Sequence, residues 1–185
     1  MDNKTKKALL KYLDKDDVSN QELVTIIKKV EKEGDVDFLI PLAKILVKNE
    51  DELIQSNIKN IFLNVKRSNA PEKIIQILSD SYFDKEKKFF SSLCWELNLN
   101  FSPYIEQLLD FFILYQDLEL ALDMFSAIEE TLKTYNTEFN AEQIDKLQEK
   151  LKNHISDFEH SKKLLAVELS HIFDEVKQLL KNKSE

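Results

Sequence analysis

Apolar residues recur along this chain at helical spacing, and the stretch from Phe38 to Val65 shows the pattern most completely. Leu39, Leu42, Ala43 and Leu46 stand at i, i+3, i+4 and i+7, and after a short acidic turn Ile54, Ile58, Ile61, Phe62 and Val65 stand at i, i+4, i+7, i+8 and i+11. Each set lies on one face of a helix with 3.6 residues per turn, so the stretch predicts two amphipathic helices joined as a hairpin. A lone hairpin cannot cover its own apolar stripe. It needs neighbours of the same shape, which is the logic of a helical solenoid.

The neighbours are legible in the same spacing. Leu42, Ile45 and Leu46 recur 32 residues later as Ile74, Ile77 and Leu78, then 31 later as Ile105, Leu108 and Leu109. In the second helices Ile58, Ile61 and Phe62 recur at intervals of 32 as Phe90, Leu93 and Cys94, then as Leu122, Phe125 and Ser126. This predicts three hairpin repeats over 36–133, bounded at about 38–69, 70–100 and 101–133, with Glu50, Asp51, Asp84 and Asp117 in the turns. Pro71 and Pro103 are expected at helix starts, where a missing amide costs nothing, and Ser102 before Pro103 marks such a start.

Before the repeats, 1–35 reads as N-terminal cap helices. Lys4 to Leu13 carries Leu9, Leu10 and Leu13, and Ser19-Asn20-Gln21-Glu22 has the S-x-x-E form of a capping box. Leu23, Ile26, Ile27 and Val30 supply the stripe of the helix that follows. Gly34 is expected to end it in a left-handed conformation. After the repeats, 138–182 reads as C-terminal helix. A heptad through Leu151, Ile155, Phe158, Lys162, Leu165, Leu169, Ile172, Val176 and Leu179 could seam a dimeric coiled coil. Ala166, Phe173 and Leu180 add a third apolar column, which favours docking on the last repeat and a monomer. Ser156-Asp157-Phe158-Glu159 repeats the S-x-x-E signal, so a turn at Asn153 to Asp157 would split the segment into two helices. One helix remains the alternative. The fold expected is a single all-α domain over 1–185, a right-handed α-solenoid of stacked hairpins with a helical C-terminal cap.

Composition sharpens this. Of 185 residues 1 is Gly and 3 are Pro, which removes the material of hairpin turns and phosphate-cradling loops. The formal net charge is -8, and Arg67 is the lone arginine among 26 basic residues, which argues against nucleic acid. Lys4, Lys6, Lys7 and Lys85, Lys87, Lys88 read as solvated helix ends. No apolar run approaches the 18 or so residues of a membrane span. One cysteine and no long apolar run near the N-terminus point to the cytoplasm.

At these residues the chain resembles the HEAT-like family of helical repeats. Leu39-Ile40-Pro41-Leu42, the apolar run to Val47, the acidic turn and the second helix look like that family's unit, with Pro41 implying a kink. Leu93-Cys94-Trp95-Glu96-Leu97 with Phe101-Ser102-Pro103-Tyr104 is similar to small bacterial proteins of this kind. The resemblance covers about 36–133 and implies a fold rather than an activity. The chain departs from the family where an arginine often opens the second helix, having Gln55 and Lys87 nearby. Its period is shorter than the roughly 40 residues of typical units, and tetratricopeptide repeats, at about 34, rank second.

Candidate chemistry is sparse. His154, His160 and His171 lack the i, i+4 spacing of a zinc-binding helix, and Glu168 with His171 is an isolated E-x-x-H pair where a di-metal bundle needs two. Cys94 lies on the buried stripe, as a core residue rather than a nucleophile. Neither a catalytic residue, a metal site nor a cofactor is expected. What remains is the ridge beside the core stripe of the second helices: Lys59, Leu63 and Lys66, then Ser91, Trp95 and Asn98, then Asp123, Ala127 and Glu130. The candidate binding residues are Leu63, Lys66, Trp95, Asn98 and Glu130. Trp95 either packs beneath a flanking helix or anchors a peptide. The reading is a non-enzymatic scaffold for a protein or peptide. The alternative is a HEAT-like enzyme or small-molecule-binding protein with a pocket on that face.

Overall fold

Several helix starts in this protein are made by short polar side chains that satisfy the first free amides, while those at Leu39, Ala70 and Ile105 have no side-chain cap. Ser19 Oγ accepts from Glu22 N while Ser19 N donates to Glu22 Oε2 at 3.1 Å, the predicted capping box. Asp51 Oδ1 accepts from Leu53 N and Ile54 N, and Asp117 Oδ1 does the same for Glu119 N and Leu120 N. Asn140 and Gln143 form a second capping box. The result, in a computed structural model that describes residues 1–15 and 18–182, is a chain of ten α-helices with short 3-10 turns and, among the described residues, no strand. The all-α expectation holds.

The chain divides into two compact units, Met1–Leu93 and Cys94–Glu185. In the first, α1 (Asn3–Leu13) packs on α3 (Leu39–Lys48), α2 (Asn20–Glu33) on α4 (Glu52–Leu63), and α3 on both α4 and α5 (Ala70–Ser79). The stripes foreseen in the sequence meet in its core: Leu23, Ile26, Ile27 and Val30, then Leu39, Leu42, Ala43 and Leu46, then Ile54, Ile58 and Phe62, all buried. Phe62 stands edge-on to Phe90 at 5.2 Å between ring centroids, and Phe83 to Phe90 at 6.2 Å. Burial of one such ring stabilises by roughly 2–3 kcal/mol. Lys6 Nζ reaches Asp35 Oδ2 at 2.8 Å and also Asp37, fastening α1 to the 3-10 turn that leads into α3.

The division falls inside α6 (Lys87–Glu96). In the second unit α7 (Ile105–Leu114) packs on α8 (Leu118–Thr134) and α9 (Ala141–Lys152), and α10 (His160–Asn182) packs on α8 and α9. The tail is therefore two helices, separated by a turn over Ile155–Asp157, and its last helix docks on α8 as the third apolar column required. Leu169, Ile172, Val176, Ala166 and Phe173 are buried, while Leu179 is exposed. Gln148, buried on α9, donates to Ser170 Oγ at 3.2 Å and Asp174 Oδ1 at 2.9 Å and accepts from Lys177 Nζ at 2.6 Å, so the α9–α10 seam has a satisfied polar core.

Five local expectations are corrected. Gly34 has φ -71°, not a left-handed value. Its need for glycine is space, because a Cβ there would lie 2.4 Å from Val30 O. Among the described residues the left-handed one is Asn98, with φ 51°, just past the end of α6. Pro41 is the third residue of α3, in the first turn, where amides lack intrahelical partners and no kink is called for. The Ser156 cap is unused: α10 begins at His160, and Lys163 N bonds to Glu159 O. Ser102 caps nothing, its hydroxyl instead meeting Asn100 Oδ1 at 2.7 Å and Glu138.

The fifth correction concerns register. Leu122, matched to Ile58 and Phe90 by the 32-residue interval, is 47% exposed. The capping residues set the true correspondence, because Asp51 and Asp117 occupy the same position before α4 and α8. On that alignment Ile58 answers to Met124 and Phe62 to Ile128, both fully buried. A shift of two residues turns a helix by about 200°, which carries Leu122 from the core to solvent.

Candidate interaction surface

Trp95 lies in the last turn of α6. The residue is 43% exposed and its Nε1–H donates to Asp123 Oδ1 on α8 at 3.0 Å. The side chain is therefore at the surface, with its polar edge held by a hydrogen bond. Of the two sequence readings of Trp95, burial beneath a flanking helix is excluded. The neighbouring ridge positions differ: Ser91 and Ala127 are fully buried and do not belong to any exposed ridge.

The other candidate residues are all exposed but do not form one set. Leu63, at the end of α4, and Lys66 belong to the first unit; Trp95, Asn98 and Glu130 belong to the second. Lys66 lines a hollow of about 200 Å³ with Val30, Asp35, Leu39, Ile61 and Arg67. That volume is below the roughly 300–1,000 Å³ of small-molecule sites. Asn98 serves the backbone, at the left-handed position after α6. Glu130 accepts from Thr134 Oγ1 at 2.8 Å, one turn further along α8.

Around Trp95 the surface of α8 combines apolar and acidic side chains. Leu118 and Leu122, four residues apart on one face, are each 47% exposed. Glu119, Asp123 and Glu130 follow on the adjoining strip toward Trp95, by the 100° step of the helix. Counting the cap Asp117, α8 carries five acidic side chains against one lysine, Lys133, whose Nζ is bound by Glu129 Oε1 at 2.6 Å. The negative charge is felt nearby. The Lys133 ammonium is held above its ordinary range, first by its hydrogen bond to Glu129 and further by the charges of Glu129, Glu175 and Glu130. Burial pushes the Cys94 thiol up, and the Asp123 carboxylate adds to the shift, so the cysteine stays protonated and is a poor nucleophile.

One residue with a marked role was misread from sequence. Lys162, placed by the sequence in the heptad of a coiled-coil seam, is 4% exposed and donates to the carbonyls of Ile113 at 2.8 Å and Tyr115 at 2.7 Å. Its Nζ also sits 4.4 Å from the centre of the Phe158 ring. It closes the C-terminal end of α7, and the signal for it was the absence of any glycine or polar cap after Leu114. Burial lowers its pKa. Glu168 and His171 are both exposed and 3.9 Å apart, an ordinary surface pair. Among the described residues no group of three or more His, Cys, Asp or Glu is placed to hold a metal ion, and no helix is long and apolar enough to cross a membrane.

No family model, no curated protein and no solved structure matches this chain.

Proposed function

We propose that the protein is a non-enzymatic interaction module, a HEAT-like stack of helical hairpins that holds a protein or peptide partner on an exposed helix face. The observation that carries the reading is Trp95, exposed yet fixed by its bond to Asp123. An amphipathic ring whose rotamer is already set loses little entropy on contact, which is why tryptophan is enriched among binding hot spots. The stacking part rests on which helices touch. In the first unit α1 meets α3, α2 meets α4 and α3 meets α5, and in the second α7 meets α9 and α8 meets α10. Helices two apart in the chain pack together, the habit of stacked hairpins. A monomer fits α10, which packs on α8 and α9 with Ala166, Leu169, Ile172, Phe173 and Val176 buried. A cytoplasmic location fits a chain with one buried, protonated cysteine.

The test compares wild-type protein and Trp95→Ala as baits in the native cell extract, with urea unfolding run on both. A partner lost from the variant at an unchanged unfolding midpoint supports the module. Retention of every captured partner by Trp95→Ala overturns it.

A further inference from the structure

We infer that the hollow between α1 and α2 is a binding site for a small organic ammonium, an amine on an apolar body, with the Glu22 carboxylate as its counter-charge. The site belongs to the first unit and does not rest on the Trp95 reading, which concerns the second. The hollow holds about 500 Å³, within the roughly 300–1,000 Å³ of small-molecule sites. A ring with a short chain fits that volume; a helix, about 10–12 Å across with its side chains, does not. Ala8, Leu9 and Tyr12 from α1 and Ile26 from α2 give it apolar walls. Ser19, Gln21 and Thr25 add neutral polar groups, and Glu22 alone of the described lining residues is charged.

That carboxylate is pinned. Its Oε1 accepts from the Tyr12 hydroxyl at 2.6 Å, and its Oε2 from Ser19 N at 3.1 Å and Ser19 Oγ at 2.6 Å. These donors are neutral, so they fix the group and favour its ionised form without cancelling its charge. A carboxylate accepts about four hydrogen bonds, which leaves a place on Oε1 for an incoming N–H. Lys15 acts on Glu22 only as a nearby charge, the smallest of the influences on it, and its Nζ lies 4.7 Å from the centre of the Tyr12 ring. Glu22 is exposed and so open to a ligand seated in the hollow. An anion there would be repelled, and an uncharged apolar ligand would strip water from the carboxylate with nothing in return. An ammonium replaces that water with a charge-assisted hydrogen bond.

The probes are phenylbutylamine, the corresponding alcohol and the corresponding carboxylate, each titrated into the full chain at neutral pH. Affinity is read by calorimetry, and the site by the methyl resonances of Ala8, Leu9 and Ile26. The amine is expected to move those resonances and to bind at least about tenfold tighter than either counterpart. Glu22→Gln keeps the S-x-x-Q form of the capping box and should bring the amine to within about twofold of the alcohol. Ala8→Phe, at an exposed position of α1, fills the hollow and should abolish binding. Urea unfolding shows that each variant is folded, and if one is not, the other decides. Equal binding of amine and alcohol, a preference for the carboxylate, an amine preference that survives Glu22→Gln, unchanged binding to Ala8→Phe, or no binding of any probe overturns the inference.

Discussion

Replacing Lys162 tests how the C-terminal half of the protein is held together. The ammonium is almost fully buried, satisfies two carbonyls that α7 leaves open at its end, and lies against the Phe158 ring. Lys162→Ala removes about three buried methylenes, at ~0.8 kcal/mol each, and strands two carbonyls, at about 1 kcal/mol or more each. Relief of the buried charge returns part of that. The expected net loss is about 3 kcal/mol. Lys162→Met keeps most of the stem and should cost about 1–2 kcal/mol, the share belonging to the two hydrogen bonds and the ring contact. Urea unfolding followed by Trp95 emission suits the purpose, since Trp95 lies in the same unit. With a slope of about 2 kcal/mol/M, the alanine variant should unfold some ~1.5 M earlier at an unchanged slope. If Lys162→Met matched or exceeded the wild type, the hydrogen bonds would carry no net stability and Lys162 would be a tolerated charge rather than a clasp.

Other outcomes follow from single positions. Met124→Ala should cost about 2–4 kcal/mol while Leu122→Ala costs less than about 0.5, and the reverse order would restore the 32-residue register. Gly34→Ala should destabilise by about 1–3 kcal/mol through the contact with Val30 O, and Gly34→Asn should be no better; rescue by asparagine would mean a left-handed backbone after all. Glu22 accepts hydrogen bonds from Ser19 and Tyr12, which lower its pKa from 4.5. Its stabilising contribution is therefore present above pH 4.5 and lost as pH falls through the lower folded-state value, so Glu22→Gln should flatten the acid limb of a stability profile; an unchanged limb would contradict this.

Helix periodicity and capping chemistry carried most of the fold. The Ser19 box, the stripes of α2 to α5 and the inward columns of α10 are local patterns, and packing left them in place. Register in α8 failed because Leu118-Glu119-Leu120-Ala121-Leu122-Asp123-Met124-Phe125 holds two interleaved apolar stripes. Spacing cannot choose between them, whereas the cap at Asp117 can. Gly34 failed for a related reason: glycine serves both left-handed backbone and close approach, and only neighbouring atoms separate the two. Trp95 was found as a candidate, but its exposure depended on Asp123, 28 residues away. Lys162 was missed because its partners are backbone carbonyls on another helix, which no side-chain pattern announces.

The protein has a single tryptophan, so its fluorescence reports on Trp95 alone. Quenching by iodide and by caesium in the free protein therefore measures the property on which the account depends, an exposed ring. Both ions should quench, because Trp95 is 43% exposed. Emission untouched by either ion would contradict an exposed anchor.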